Sequence, residues 1–307
     1  MIRSRGRRAG GNGGVASRRG GRAGSALRVV TFVGLVSVVL LGVGLAGCAP
    51  KHETLVIRGS DTMVNLSAAW AEAFMKANRS VDVSVQGGGS STGFKALIEG
   101  TADLANASRP IKDSEAKAIR DKGKEPVAHV VAYDAVTIIV NPSNTVQHLD
   151  MTQLAAILTG QVTNWKDVGG PDRAITVYSR ESSSGTYAFV KEHVMGNKDY
   201  SASARLMPST ESILQAVAQD QTGIGYIGLG YLTSAVKAIA IAEKPGGTPI
   251  LPSAEAVGNR TYPVARPLFI YSAGQPSAVA KKFIDFCLSK EGQRITGEMG
   301  FVPVPGR

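Results

Sequence analysis

From Thr54 onwards, short runs of β-branched and apolar residues alternate with longer segments in which apolar residues recur every three or four positions. The short runs predict buried strands, and the longer segments predict amphipathic helices. In Val64–Ala77, for example, Leu66, Trp70 and Phe74 fall on one face of a predicted helix. Strands that alternate with helices in this way predict an α/β fold with a largely parallel sheet.

The predicted elements form two groups, separated by the turn-rich break Asn141–Asn144. Before the break we predict strands at Leu55–Ile57, Val81–Gln86, Ala102–Ala105, Val127–Tyr133 and Ala135–Val140, and helices at Val64–Ala77, Phe94–Glu99 and Asp113–Lys122. After the break we predict strands at Ala174–Tyr178, Ile224–Ile227 and Pro267–Tyr271, and helices at Thr152–Leu158, from Gly185, and at Thr210–Gln219, Ser277–Ser289 and Glu291–Met299. Lys244–Ser253, rich in glycine, proline and serine, predicts a loop. Two α/β units are therefore expected.

The positive charge of the chain is concentrated near its start. Of the 34 lysines and arginines in the 307 residues, eight arginines lie in residues 1–47, which contain no acidic residue. The rest of the chain therefore has 26 basic residues against 24 acidic ones, and the net charge of +10 belongs mainly to the first segment. Without that segment, charge gives no reason to expect a nucleic-acid partner.

Residues 1–47 have the order of features that is typical of an export signal. An arginine-rich stretch is followed by the apolar run Val29–Ala46 and then by Leu45-Ala46-Gly47-Cys48, which resembles a bacterial lipobox. An uncleaved transmembrane helix is the alternative, although the glycines in the apolar run favour cleavage. We predict a lipoprotein signal peptide at 1–47, lipidation of Cys48, and a tether at 48–53. The protein would then be anchored on the extracytoplasmic side of a membrane, in the periplasm or at the cell surface.

Cys287 is the remaining cysteine, and it lies in an apolar segment with helical spacing. A buried structural thiol is the expected role, because no second cysteine is left for a disulfide or a metal site.

Gln86–Gly93 is a cluster of glycines and hydroxyl residues between a predicted strand and a predicted helix. Such a segment favours anion binding, because glycines let the backbone approach a ligand and the helix start offers free N–H groups. It is not a nucleotide-binding P-loop, since Phe94 stands where that motif has lysine. The same residues also fit the Gly-x-Ser-x-Gly pattern of serine hydrolases, with Ser91 as the nucleophile and His129, His148 or His193 as the base.

Three further strand-to-helix junctions are rich in hydrogen-bond donors: Gly59–Thr62, Ser108–Pro110 and Ser179–Thr186. For each junction taken by itself, capping of the following helix is the simpler explanation. However, such junctions meet at the carboxyl ends of the strands in an open α/β sheet, where ligands bind. Four of them together predict one site for a small oxyanion.

These motifs, together with Gly225-Tyr226-Ile227-Gly228, give the chain from Leu55 onwards a resemblance to the phosphate-binding proteins of bacterial phosphate ABC importers, in the type II periplasmic-binding-protein family. The resemblance implies an α/β fold of two lobes that close on phosphate, each a mostly parallel sheet flanked by helices. Lobe 1 is expected at 54–139 and 263–307, and lobe 2 at 140–262.

The resemblance also implies a set of ligand contacts. They are Thr62, Met63 through its backbone, Ser90, Arg180, Ser184, Gly185 and Thr186, with Ser60, Asp61 and Ser108 in the same predicted site. Well-known family members have an aspartate where Ser108 stands, and this carboxylate accepts the proton of hydrogen phosphate. Asp61 is predicted either to supply the missing acceptor or only to cap the helix that follows it.

The predicted function is that of a receptor that captures inorganic phosphate and delivers it to the permease and ATPase subunits of an ABC importer. We expect a monomer with no enzymatic activity, no cofactor and no metal. Two alternatives stay open at this point: a receptor for another tetrahedral oxyanion such as sulfate or molybdate, and a secreted serine hydrolase that uses Ser91.

Overall fold

The computed structural model describes residues 52–306, which belong to one unit of α/β structure. The strands are β1 (Glu53–Gly59), β2 (Val81–Gln86), β3 (Leu104–Ala107), β4 (Pro126–Val140), β5 (His148–Asp150), β6 (Thr176–Arg180), β7 (Arg205–Met207), β8 (Gly223–Gly228), β9 (Lys237–Ala238), β10 (Ala240–Ala242) and β11 (Ala265–Ala273). The helices are α1 (Val64–Ala77), α2 (Ser90–Glu99), α3 (Asp113–Arg120), α4 (Met151–Leu158), α5 (Gly185–His193), α6 (Thr210–Gln219), α7 (Ala254–Gly258), α8 (Ala278–Cys287) and α9 (Lys290–Glu298). Short 3-10 helices lie at Asp61–Met63, Trp165–Val168 and Leu229–Tyr231.

The main sheet has the strand order β2-β1-β3-β11-β4-β8-β6-β7, and β9 pairs with β4. Its two ends are parallel, as the alternating pattern predicted: β1 pairs with β2 and β3, and β6 pairs with β7 and β8. In the centre, β4 and β11 run antiparallel to their neighbours. A small parallel pair, β5 and β10, lies apart from the main sheet.

The long strand β4 connects the two halves of the sheet. The sequence predicted two strands here, interrupted at Asp134, and this prediction is wrong. Asp134 lies inside one continuous strand, because its carboxylate is paired with Arg266, which faces it in the register of β11. Pro126–Ala135 pairs with β11, whereas Val136–Val140 pairs with β8. We call the β1–β3 side with β11 the first lobe and the β6–β8 side the second lobe; the residue limits of the lobes stay a prediction.

Apolar side chains are buried in both lobes. Trp70 on α1 is fully buried in the first, and its indole N–H donates to Gly292 O at 2.8 Å. Trp165 is fully buried in the second. Full burial of each large side chain stabilises the fold by about 1.5–3 kcal/mol. Cys287 lies in the first of these clusters, fully buried, which confirms the predicted structural thiol; burial raises its pKa.

Several predicted boundaries differ from the structure. The helix predicted from Phe94 begins at Ser90, inside the glycine and hydroxyl cluster. The strand predicted to end at Tyr178 continues to Arg180, and β1 already begins at Glu53, which we had assigned to the tether. Cys48 and the predicted signal peptide at 1–47 lie outside the described residues. Within residues 52–306, no helix combines the length and the apolar composition needed to cross a membrane.

Candidate functional site

The structure brings the four donor-rich junctions to one place between the two lobes. Each follows the carboxyl end of a strand: Ser60 follows β1, the start of α2 follows β2, Ser108 follows β3, and the start of α5 follows β6. Contacts across the lobes join them, because Thr62 Oγ1 lies 2.9 Å from Thr186 Oγ1. The four segments therefore lie close together, as the sequence predicted.

Ser60, Ser90 and Ser108 form a buried cluster of hydroxyls in the first lobe. Ser60 Oγ donates to Ser108 Oγ at 2.9 Å, and Ser90 Oγ lies 3.4 Å from Ser108 Oγ. Ser90 Oγ also accepts from the backbone N–H of Ser108 at 3.1 Å. A hydroxyl is both donor and acceptor, so such a cluster can turn its protons towards an anion. Ser108 is uncharged, so this cluster offers hydroxyl groups and no carboxylate.

The glycines before α2 allow the second lobe to approach closely. Gly88 and Gly89 have φ angles of 115° and 108°, which L side chains rarely adopt. A Cβ on Gly89 would lie 2.5 Å from Ser183 O. Because glycine has no Cβ, the two segments come close enough to form hydrogen bonds. Ser91 N donates to Ser183 O at 3.1 Å, and Ser183 Oγ donates to Gly88 O at 3.1 Å. These bonds join the glycine-rich loop to the second lobe.

The start of α5 forms the opposite wall. Ser184 is the N-cap, and its Oγ accepts from Thr186 N at 3.1 Å and Tyr187 N at 3.3 Å, so its hydroxyl proton is free to donate elsewhere. Gly185 faces the serine cluster at very short range. A Cβ there would lie 2.2 Å from Ser90 Oγ and 2.6 Å from Ser108 Oγ. Glycine is needed because the two walls meet at this residue.

Arg180 lies at the end of β6 and is buried, and its guanidinium is largely bound by the protein itself. It donates to Met207 O at 3.3 Å, Pro208 O at 2.9 Å, Thr210 Oγ1 at 3.1 Å and Asp61 Oδ2 at 3.0 Å. A guanidinium has five N–H donors. The structure therefore leaves at most one of them for a ligand.

Asp61 joins the lobes through its carboxylate. Oδ2 accepts from Arg180 and from the backbone N–H of Thr210 at 2.7 Å, at the start of α6. Asp61 thus caps a helix of the second lobe, whereas the short helix that it begins has no side-chain cap. Oδ1 accepts no hydrogen bond from residues 52–306 and lies 3.4 Å from the position of a Cβ on Gly87. This oxygen remains available as an acceptor at the cleft.

Met63 differs from what the resemblance implied. Its side chain is fully buried in the core, and its backbone N–H donates to Ser60 O at 3.1 Å. The N–H expected to meet a ligand is thus already engaged in the turn after β1. Thr62, by contrast, directs its hydroxyl towards Thr186.

Sequence reasoning missed two charged residues at the site, Asp134 on β4 and Arg266 on β11. Both are buried, and Arg266 Nη2 donates to Asp134 Oδ2 at 2.9 Å. Burial raises the pKa of Asp134 and lowers that of Arg266, while their mutual attraction opposes both shifts. One signal was present in the sequence: each residue is a lone charge within an apolar strand, and such charges are rarely buried unless they are paired.

The hydrolase pattern does not assemble around Ser91. Ser91 Oγ accepts from Arg109 Nη2 at 3.0 Å, and Arg109 is held by Glu115. The Nε2 atom of His193 lies 2.7 Å from Pro263 O. Among the described residues, no histidine is hydrogen-bonded to Ser91, and no group of three potential metal ligands is present.

The sequence of the chain is similar to those of known proteins. The model of a PBP superfamily domain matches residues 46–291. The phosphate-binding protein PstS of Pseudomonas aeruginosa is 35% identical over 266 residues, which cover 81% of this chain and 82% of that protein. Protein SphX of Synechococcus elongatus is 36% identical, with 81% and 77% covered.

Solved structures are also similar. A protein from Clostridium perfringens with bound phosphate has a TM-score of 0.75 and 31% identity, and the match covers 82% of this chain and 100% of that one. An ABC-type phosphate transport receptor from Vibrio cholerae has a TM-score of 0.67 and 30% identity, with 81% and 100% covered.

Proposed function

The chain belongs to the PBP superfamily and to its family of phosphate-binding proteins, and we propose that it captures inorganic phosphate for an ABC importer. The observation that carries this proposal is the meeting of buried hydroxyl donors from both lobes, with Thr62 and Thr186 only 2.9 Å apart. Hydroxyls and helix starts are suitable ligands for a small tetrahedral anion. The relatives named above as phosphate-binding proteins support the same choice of ligand.

The ligand contacts that we propose come from both lobes. In the first lobe they are Ser60, Thr62, Ser90 and Ser108, with Asp61 as acceptor, and in the second lobe Arg180, Ser184, Gly185 and Thr186. Met63 is left out of the proposed set, because its N–H already donates to Ser60 O. Within this set, the buried hydroxyls and the backbone N–H of Gly185, the first residue of α5, are best placed to donate hydrogen bonds to an anion. Arg180 acts mainly by holding Asp61 and α6 in place, and it offers at most one N–H to the anion.

Delivery to a membrane importer requires the receptor to be outside the cytoplasm. We propose that Cys48 carries a lipid after the segment 1–47 has been removed, that the protein acts as a monomer, and that it meets permease and ATPase subunits. The export-type segment and the lipobox-like Leu45-Ala46-Gly47-Cys48 support this part of the proposal. No catalytic step is proposed.

Calorimetric titration of the protein from residue 48 onwards, with phosphate and with sulfate, tests the proposed ligand. We expect saturable phosphate binding and much weaker sulfate binding. Equal affinities would replace phosphate by a broader class of tetrahedral oxyanions. If neither ion binds, the proposed function is wrong.

Substitutions of the two neighbouring serines at the start of α2 distinguish the anion-binding hypothesis from the hydrolase hypothesis. Ser91→Ala is expected to leave the phosphate affinity within about threefold of the wild type, because its hydroxyl faces Arg109 and is half-buried. Ser90→Ala is expected to weaken binding by about tenfold or more, because it removes a hydroxyl of the buried cluster. Titration measures both affinities. Ester hydrolysis by the wild type that is lost in Ser91→Ala would instead support the serine hydrolase.

Asp61 is proposed to distinguish hydrogen phosphate from sulfate through Oδ1, which accepts no hydrogen bond from residues 52–306. A carboxylate acceptor favours an anion that still carries a proton and repels one that does not. Asp61→Asn is therefore expected to lower the ratio of phosphate to sulfate affinity by about tenfold. Both affinities are measured by titration at one pH. An unchanged ratio would limit Asp61 to its bonds with Arg180 and α6.

A further inference from the structure

Arg266 is buried where the two lobes meet, and part of its guanidinium is bound by Asp134. Arg266 Nε and Nη2 donate to Asp134 Oδ2 at 3.2 and 2.9 Å. The other carboxylate oxygen accepts from Leu229 N at 3.0 Å. Arg266 lies on β11 of the first lobe, and Asp134 faces it from β4, the strand that continues into the second lobe.

The remaining donors of Arg266 point at the anion site. One Nη2 hydrogen is used for Asp134, and the other is shared between Thr186 Oγ1 at 3.0 Å and Thr62 Oγ1 at 3.4 Å. Nη1 donates to Ser108 O at 3.1 Å. A single guanidinium thus contacts groups from both lobes. It reaches both threonine hydroxyls that lie 2.9 Å from each other.

We propose that Arg266 is a positioning residue of the anion site, which makes Thr62 and Thr186 act as hydrogen-bond donors towards the bound anion. This inference rests on the proposed function. Arginine has no acceptor atom, so neither threonine can donate to it, and each must direct its proton elsewhere. One of them can donate to the other threonine, and at least one proton remains for the ligand. When an anion is present, both hydroxyls can turn to it, because Arg266 continues to donate to their oxygens.

The pairing with Asp134 suits this role better than a role in stability alone. A buried ion pair usually contributes little more to stability than well-packed apolar residues of the same size. The bond to Asp134 does, however, hold the guanidinium of Arg266 in a fixed position beside the hydroxyls of Thr62 and Thr186. Asp134 also balances the charge of Arg266, so that the guanidinium acts on the threonines through its N–H groups rather than as a free cation.

Two variants of the pair test the proposal. Arg266→Met combined with Asp134→Leu removes both charges together and leaves no unpaired buried ion, so the protein is expected to fold. Arg266→Lys keeps the charge, but a lysine cannot reach Asp134, both threonines and Ser108 O at once. We expect phosphate affinity to fall by about tenfold to a hundredfold in the double variant and by about tenfold in Arg266→Lys. Phe283→Leu, a change in the remote core, is the control for lost stability and should lower the melting temperature without changing the affinity.

A further readout separates positioning from simple structural damage. In the wild type, Thr186→Val should weaken phosphate binding markedly, because it removes an oriented donor. In the Arg266→Met/Asp134→Leu background the same change should cost much less, since that hydroxyl is no longer oriented, and non-additivity of this kind measures the coupling.

The outcomes are distinct. Full phosphate affinity in the folded double variant, or equal effects of Thr186→Val in both backgrounds, would overturn the role of Arg266 and leave the proposed function standing. If the double variant does not fold, unchanged affinity in Arg266→Lys overturns it. A wild type that does not bind phosphate contradicts the proposed function itself and this inference with it.

Discussion

Arg180→Met is expected to bind phosphate more than about a hundredfold more weakly than the wild type, which corresponds to about 2.7 kcal/mol or more. Two effects combine. Met207, Pro208 and Thr210 lose the donors that hold this part of the second lobe. In addition, the carboxylate of Asp61, only 17% exposed, loses its ionic partner and repels the anion. Removing one partner of a largely buried pair is generally costly for this second reason.

A double-mutant cycle divides the two effects. Adding Asp61→Asn to Arg180→Met removes the unpaired carboxylate, so about tenfold of the lost affinity should return. Arg173→Met is the matched control, because Arg173 is exposed and binds Gln221 far from these contacts. Titration with phosphate measures the wild type, the two single variants, the double variant and the control. If the double variant binds as weakly as Arg180→Met, repulsion by Asp61 is excluded as a cause.

Gly185→Ala is expected to weaken phosphate binding by about tenfold to a hundredfold while leaving the protein folded. The added methyl group would lie 2.2 Å from Ser90 Oγ and 2.6 Å from Ser108 Oγ, so the serine cluster must move or the lobes must stay apart. Overpacking of this kind costs about 1–3 kcal/mol, which is the basis of the expected loss. The cost falls on the arrangement in which the two lobes are in contact, because Gly185 and the serines belong to different lobes.

The stability of the same variant provides the check. In a helix, alanine is about 0.5–1 kcal/mol more favourable than glycine, so thermal unfolding without phosphate should not show a large loss. Gly258→Ala is the control, because Gly258 ends α7 with no atom within 4 Å of an added Cβ. Wild-type phosphate affinity in Gly185→Ala would show that the anion does not bind to the arrangement in which Gly185 lies against Ser90 and Ser108.

The charges at the site explain why hydroxyl geometry is expected to dominate. Arg180 is paired with Asp61, and Arg266 is paired with Asp134, so these four side chains carry no net charge. An anion is therefore held mainly by oriented donors and helix starts rather than by a free cation. Hydrogen bonds to a charged acceptor are about twice as strong as neutral ones, which makes their orientation decisive.

Local patterns predicted the long elements well and the short ones poorly. Val64–Ala77, Val81–Gln86 and Thr210–Gln219 have the predicted limits, because each repeats its apolar spacing over several positions. The two- and three-residue strands β5, β7, β9 and β10 were missed. Strands of this length contain no full repeat, and they exist only because another strand lies beside them.

The sequence by itself determined the α/β alternation, the four donor-rich junctions and the family to which the chain belongs, because each of these is written in neighbouring residues. Only the tertiary structure decided how the donors are used. Arg180 pairs with Asp61, which is 119 positions away in the chain, and Arg266 pairs with Asp134, which is 132 positions away. Asp61 caps α6 rather than the helix that follows it in the sequence. The number of N–H groups that an arginine keeps for a ligand depends on such distant partners, and no local pattern encodes them.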